Sequence, residues 1–365
     1  MAKYLFGDIV REVKEKVDRD NNPYDYFIAG DHMDTDELHL LRRGLFEGSD
    51  VGPAFIRVFK PGQVLYGSRR TYLRKVAVAD FEGVTANTTF VLESKDESIL
   101  LQSLLPFIMQ SDRFVQHSIK RSKGSTNPYV LFSDLADYEV DLPDIHEQKR
   151  LSEVLWAIDS VKMSYKRLIS ATDDLVKSQF IEWFGSPIKN EKKWKSAKMS
   201  DVAPAEVFKG KVESVDNLYW LLNLDMIESN TGRVIEKVRV PLKDIGTSTY
   251  AFSTENVLFS KLRPYLNKVI VPDENGYATT ELIPLMPDRE KLNIDFFTSL
   301  LRGDEFLSFI ETQVSGTKMP RVQMNVFWNF DVILPPIELQ EQFAEFVRQS
   351  DKSKLLLGKT LAFPL

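Results

Sequence analysis

The chain is written twice. Residues 64–78, VLYGSRRTYLRKVAV, return at 257–271 as VLFSKLRPYLNKVIV, with eight identities in fifteen positions at an offset of 193. Arg70 falls on Arg263, Tyr72 on Tyr265, Leu73 on Leu266 and Lys75 on Lys268. The same offset sets Asp8-Ile9 on Asp201-Val202 and Tyr26-Phe27 on Tyr219-Trp220. After a slip to 192, FIMQSDRF (107–114) falls on SLLRGDEF (299–306), and DLPDIHEQ (141–148) on ILPPIELQ (333–340). Gly124 and Pro128 then meet Gly316 and Pro320, and Asp159 meets Asp351. A period this long is no solenoid unit. It implies two homologous domains, each followed by a similar tail, with the second copy starting near residue 186.

The tails read as helices. Ile145 to Phe184 contains no Pro or Gly, and Val154, Ile158, Val161, Tyr165, Leu168 and Leu175 keep a 4–3 heptad rhythm. Asp144 is placed to cap this helix with Glu147 as its capping-box partner, and Gly185 to stop it. About 39 residues at 1.5 Å each make a rod of roughly 58 Å. Such a rod needs a partner for its apolar seam. The matching tail from Ile337 offers Leu339, Phe343, Phe346 and Val347, then, after the polar run QSDKSK, Leu355, Leu356, Leu357 and Leu361. This second tail is shorter: 26 residues separate Asp159 from Gly185, but 14 separate Asp351 from the last residue. It ends in LLLGKTLAFPL, where Gly358 and Pro364 are poor helix material, so a shortened coiled coil is expected.

The globular parts mix both element types. VLYGSRRTYLRKVAV, VLFSKLRPYLNKVIV and FDVILPPI read as strands. Residues 291–313 and their counterpart near 97–121 read as helices, with Gly303 and Pro106 as local breaks. The expected layout is a domain at 1–144, a helix at 145–185, a second domain at 186–336 and a helix at 337–365. The class is α+β.

Composition excludes several functions. With 43% hydrophobic and 27% charged residues the chain reads as a soluble globular protein. It has no cysteine, which removes disulfides and thiolate metal sites and fits a reducing compartment. No signal-peptide core opens it and no run of 18 apolar residues occurs, so a cytoplasmic, non-membrane protein is expected. The net charge of −6 argues against uniform wrapping of nucleic acid, but leaves room for local basic faces.

No catalytic motif stands up. Asp144 with Glu147 and Lys149 spells a compressed PD…ExK, but at a helix start, not on neighbouring strands where both carboxylates could meet one ion. Asn127-Pro128-Tyr129 lacks one proline of an adenine-methyltransferase loop, and no glycine-rich cofactor turn exists. His32, His39, His117 and His146 show no ligand spacing, and Asp31-His32-Met33-Asp34 reads as a surface turn. No catalytic or metal residue is expected.

The basic segments are the remaining chemistry. Val51–Ala79 holds six Lys/Arg and Arg113–Ser133 holds four, with no acid in either. Arg69, Arg70, Arg74, Lys120, Arg121 and Lys123, with Lys261, Arg263, Lys318 and Arg321 in copy two, are the candidate DNA contacts. The competing reading is a solvated face, and recurrence in both copies weighs against it. Arg70 and Arg263 have a second possible role, as structural arginines that pin a loop. On this view the shared Arg70, Tyr72, Leu73 and Lys75 build each domain. The unshared Arg69 and Arg74, facing Leu262 and Asn267, make the domains differ.

VLFSKLRPYLNKVIV, GTKMPRVQMNVFWNFDVILPPIELQEQFAEF and QFIEWFGSPIKNEKKW together resemble the specificity subunit of type I restriction-modification enzymes, over essentially the whole chain. The resemblance implies two mixed α/β target-recognition domains separated by two long helices packed as an antiparallel coiled coil. Each domain would read one half of a split double-stranded DNA target. The helices would set the spacer, at most about 17 base pairs for such a rod, and dock modification and restriction subunits. It implies no catalysis and no cofactor on this chain; S-adenosylmethionine, ATP and Mg would sit on the partners. The alternatives are a stand-alone DNA methyltransferase or nuclease, and a scaffold that binds no DNA. Val154, Ile158, Val161, Tyr165, Leu168, Leu175, Phe343, Phe346 and Val347 are the expected helix-packing residues.

Overall fold

The computed structural model describes residues 2–316 and 319–361, which fall into two units, Met1–Val161 and Lys162–Leu365. The first runs β1 (Ala2–Leu5), α1 (Phe6–Ile9), β2 (Val10–Glu12), β3 (Tyr26–Ile28), β4 (Gly44–Leu45), β5 (Phe55–Phe59), β6 (Val64–Gly67), β7 (Val76–Val78), β8 (Gly83–Ala86), β9 (Thr89–Ser94), α2 (Leu105–Gln110), α3 (Asp112–Arg121), α4 (Phe132–Ala136), β10 (Glu139–Leu142) and the start of α5 (Ile145–Phe184). After α5 the second runs β11 (Lys195–Lys198), α6 (Met199–Val202), β12 (Leu218–Leu222), β13 (Val238–Pro241), β14 (Thr249–Phe252), β15 (Val257–Ser260), β16 (Val269–Ile270), β17 (Gly276–Thr279), β18 (Leu282–Leu285), α7 (Ile294–Arg302), α8 (Asp304–Glu311), β19 (Val314–Ser315), β20 (Arg321–Val322), α9 (Met324–Trp328), β21 (Asp331–Leu334) and α10 (Ile337–Leu361).

The duplication is visible strand for strand. The first unit has a sheet in the order β4-β3-β8-β5 and the second one in the order β13-β12-β17-β14. Each contains one parallel pair, β3 with β8 and β12 with β17, amid antiparallel ones. A second sheet, β2-β9-β6-β7, is matched by β18-β15-β16, and the pair β1-β10 by β11-β21. Val64, Leu65, Val76, Val257, Leu258 and Val269 fill both cores from equivalent places. Phe6, Tyr66, Phe90 and Phe114 complete the first core, and Phe259, Phe296, Phe306 and Phe327 the second.

Segment 64–78 is not the single strand expected from its apolar positions. It is a hairpin: β6, a 3₁₀ turn at Thr71–Leu73, then β7. Arg70 and Arg74 flank the turn with left-handed backbones at φ 51° and 50°. Arg263 and Asn267 repeat this at 49° and 46°. Hydrophobic alternation cannot see such a turn, because the side chains at its corners are Arg and Asn rather than glycine.

Helix α5 covers the expected span. Asp144 Oδ1 accepts the N–H groups of His146 and Glu147, both at 3.0 Å. The Glu147 N–H above all holds the Asp144 carboxyl below the usual carboxylate range. Glu147 does not close the capping box; it pairs with Arg150 at 2.8 Å. Gly185, at φ 74°, follows the last turn. Helix α10 continues through Gly358 to Leu361. A helical glycine costs only about 1 kcal/mol, so the expected weakness there does not end the helix. Lys318 and Pro364 lie outside the described residues, as do the side chains of Leu357 and Leu361.

The expected seam of α5 is not its packed face. Val154, Ile158, Val161, Leu168 and Leu175 are between 39% and 54% exposed, and Tyr165 is half-buried. The buried stripe is Gln148, Ser152, Asp159, Met163, Phe180 and Phe184. In the first unit it docks through polar groups: Ser152 Oγ to Ser103 Oγ at 2.7 Å, Trp156 Nε1 to the Ser103 carbonyl at 2.9 Å, and Asp159 to His39 at 2.6 Å. A heptad search counts only apolar residues, so a docking face made of mutually satisfied polar ones escapes it. In the second unit the packing is aromatic. Phe180 and Phe184 lie 5.7 and 5.2 Å from Phe343, with Val347 buried and Phe346 half-buried beside them. Asp173 pairs with Lys354 at 2.5 Å. Partner numbers rise on α10 as they fall on α5, so the two helices pack antiparallel.

One residue type fastens each tail helix to its domain. Gln148 Nε2 donates to the Ile99 and Pro143 carbonyls (2.8 and 3.0 Å), and its Oε1 accepts the Leu101 N–H at 3.1 Å. Gln340 repeats the pattern on Lys291, Pro335 and Asn293, at 2.9, 2.8 and 2.9 Å. Both glutamines are buried, and each satisfies three backbone groups. Gln340→Ala leaves those groups unpaired. It is expected to cost about 2–4 kcal/mol, read as a lower midpoint in urea unfolding of the full chain.

Candidate nucleic-acid interface

The candidate surface is built on the left-handed turn. In the first unit, the Arg70 N–H donates to the Pro128 carbonyl at 2.6 Å and the Leu73 N–H to the Arg70 carbonyl at 2.8 Å. In the second, the Arg263 N–H donates to the Pro320 carbonyl at 2.7 Å and the Leu266 N–H to the Arg263 carbonyl at 2.9 Å. The turn is thereby pinned against a second loop. Gly124 and Gly316 give that loop its bend at φ 88° and 90°. Asn127-Pro128-Tyr129 is therefore part of the turn's support, with its proline carbonyl already occupied.

Folding pairs most of the cations that the sequence leaves unbalanced. Arg74 Nε meets Asp36 at 2.5 Å, Nη1 meets Asp112 at 2.8 Å, and Nη2 donates to the Gln110 carbonyl at 2.7 Å. Its Asp112 partner, against some burial, holds this guanidinium more firmly protonated than usual. Arg121 pairs with Asp137, and Lys123 with Asp134 at 2.7 Å. Arg57 reaches Glu12 at 3.1 Å and Lys60 reaches Glu15 at 2.7 Å. In the second unit Arg321 pairs with Glu281 at 2.9 Å, and that partner holds the Glu281 carboxyl below its usual range. Each acid comes from outside the acid-free segment, brought in by the fold.

Arg74 also has structural work inside the domain. Asn267, its counterpart, donates Nδ2 to the Arg302 carbonyl at 3.0 Å, just as Arg74 donates to Gln110. The two residues look different in sequence but do the same structural work. Lys75 and Lys268 are also internal: Lys75 Nζ donates to the Gly30 carbonyl, and Lys268 Nζ to that of Leu224 at 2.7 Å.

Among the described residues, Arg69, Arg70, Lys120, Lys261 and Arg263 have no ion-pair partner closer than 4.0 Å. Arg69, Arg70, Lys120 and Arg263 are exposed, and Lys261 is half-buried. The Arg69 guanidinium lies 5.7 Å from the centre of the Tyr129 ring. The surface also has an aromatic part. Tyr72, Tyr129 and Tyr265 are all exposed. The first and last were visible as shared residues of the repeat.

The remaining polar clusters are structural. Asp144 and Glu147 are spent on the helix start. His32 Nδ1 accepts the Ala29 N–H at 3.1 Å. The ligand atoms of Glu37, His39 and Asp159 lie within 4.8 Å of one another, a grouping that spacing along the chain conceals. His39 Nε2 is already engaged there with Asp159 Oδ2 at 2.6 Å, which ties α5 to the loop after β3.

Known proteins resemble this chain. The family described as "Type I restriction modification DNA specificity domain" matches residues 14–171. The EcoDI specificity subunit of Escherichia coli is 22% identical over 263 residues, covering 63% of this chain and 59% of the relative, so the chain spans about three-fifths of that protein's length. The MjaIX specificity subunit of Methanocaldococcus jannaschii is 23% identical over 324 residues, covering 80% of this chain and 72% of the relative. The type I S subunit of M. genitalium matches in structure with a TM-score of 0.51 and 12% identity, over 99% of this chain and 92% of that one, which shows a common fold. The match to the type I specificity-domain family thus lies in the first half of the chain, and the sheet topology of that half is repeated in the second.

Proposed function

We propose that this chain is the DNA-recognition subunit of a type I restriction-modification system. Each recognition domain reads one half of a bipartite double-stranded target. The helices set the spacer and dock modification and restriction subunits. S-adenosylmethionine, ATP and Mg belong to those partners, and this chain contributes recognition rather than catalysis. No described helix is long and apolar enough to cross a membrane, and we place the protein in the cytoplasm, beside its DNA.

One observation carries the reading. The same pinned turn presents an unpaired arginine to solvent at the same place in both repeats. A duplicated cationic reader calls for a duplicated anionic target, and DNA with two half-sites is one. The methyltransferase and nuclease readings lose their motifs to structure: the Pro128 carbonyl is taken by Arg70, and Asp144 by the start of α5. A scaffold that binds no DNA leaves the repeated arginine unexplained.

Bound to DNA with its methyltransferase partner, the protein is expected to protect two short tracts separated by a gap. One continuous footprint, or methylation of DNA by this chain alone, overturns the reading. The two arginines at the first turn are expected to separate by role. Arg74→Ala loses its pairs to Asp36 and Asp112 and lowers stability by about 1–2 kcal/mol, seen as a lower melting midpoint. Arg69→Ala leaves the melt unchanged and weakens recognition at one half-site by about 1–3 kcal/mol, seen in a base-by-base binding profile.

A further inference from the structure

The residues shared by the two hairpins divide into two groups. The apolar ones build the cores: Val64, Leu65 and Val76 are buried, as are Val257, Leu258 and Val269. Lys75 and Lys268 are spent on the carbonyls of Gly30 and Leu224. Leu73 and Leu266 are half-buried and close the 3₁₀ turn through their N–H groups. That leaves Arg70 with Tyr72, and Arg263 with Tyr265. Both arginines are exposed, and the tyrosines are 53% and 48% exposed. Neither packing nor an internal ion pair accounts for their presence in both copies.

The backbone sharpens the point. Arg70 and Arg263 hold φ 51° and 49°. A residue with a Cβ pays about 1–2 kcal/mol for that conformation, and glycine would adopt it more cheaply. Side chains kept at such a position are kept for what they touch.

Resting on the reading of this chain as a DNA-recognition subunit, we infer that Arg70 with Tyr72 and Arg263 with Tyr265 are matched clamps on the phosphodiester backbone, one per half-site, and do not read bases. Two different half-sites share their sugar–phosphate chain and not their bases, and phosphate contacts position a protein without carrying sequence information. A guanidinium forks onto two phosphate oxygens, and a phenol hydroxyl donates to one. Base reading falls to what differs beside each clamp: Arg69 against Leu262, and Tyr129 against Arg321.

The test uses the full chain in complex with its methyltransferase partner. Affinity for a mixed-sequence duplex is measured against salt, and the motif enriched from a random duplex pool is sequenced. Arg70→Gln and Arg263→Gln should each lower the slope of log Kobs against log salt by about 0.9, and the double variant by about twice that. The enriched motif should not change. Tyr72→Phe and Tyr265→Phe should weaken binding about two- to fivefold, equally for enriched and unenriched duplexes. All four substitutions should leave the thermal melt in place. An unchanged salt slope overturns the inference. So does a motif altered at one half-site, which would make these residues base readers. If the wild-type complex enriches no motif, the recognition reading itself fails, and the inference with it.

Discussion

The left-handed turn between β6 and β7, and its copy between β15 and β16, is the constraint on which the rest of each domain depends. It reverses the chain within a core hairpin using two residues at positive φ that are not glycine. Such corners persist only when their surroundings hold them. Here the surroundings are specific. The first corner donates its N–H to a proline carbonyl in the following loop. The second corner's side chain holds the carbonyl at the end of the next helix, Gln110 in α2 or Arg302 in α7. The turn thus links sheet, loop and helix, and its exposed side faces away from all three.

Charge in this protein has to be read after folding. The acid-free segments look like basic ribbons in one dimension. In three dimensions Glu12, Glu15, Asp36, Asp112, Asp134 and Asp137 arrive from elsewhere and neutralise most of them. Arg57 and Glu12 are buried; the exposed pairs add little stability each, but all of them decide where net positive potential remains. What remains beside the first turn is Arg69 and Arg70, a far smaller footprint than the sequence presents. This fits an acidic chain, with a net charge of −6, that concentrates cationic chemistry at a few points.

The repeat was the most legible feature, because identity at a constant offset does not depend on guessing local structure. It marked the two copies and the shared turn residues. The α5 span was legible from the absence of breakers. Its packed face was not, since Ser152 and Asp159 carry no apolar signal and their partners Ser103 and His39 lie far away in sequence. Gln148 and Gln340 stood in the aligned segments as a shared polar residue, but alignment alone does not reveal that both are buried. The turn reads as strand in sequence because its corners are not glycines, and the likeness of Arg74 to Asn267 lies in a hydrogen bond rather than in residue type.

The last two cases suggest how the copies diverge while keeping one architecture: an atom's role is preserved, and the residue supplying it changes. The shared acid shows this again. Asp159 meets His39. Its counterpart Asp351 pairs with Lys354 at 2.6 Å and adds to the field of Asp173 and Asp295 around the buried Arg302, whose proton burial weakens and those acids help to hold. At the offset of 193 His39 becomes Gly232, where a Cβ would lie 1.9 Å from the Val269 carbonyl and 2.1 Å from Arg302 Nη2. The partner facing the acid has moved from one loop to another helix, and position 232 has no side chain to crowd it. Compensation of this kind decouples the frame of each domain from its surface. A frame that tolerates such exchanges leaves positions such as 69 and 262, or 129 and 321, free to vary.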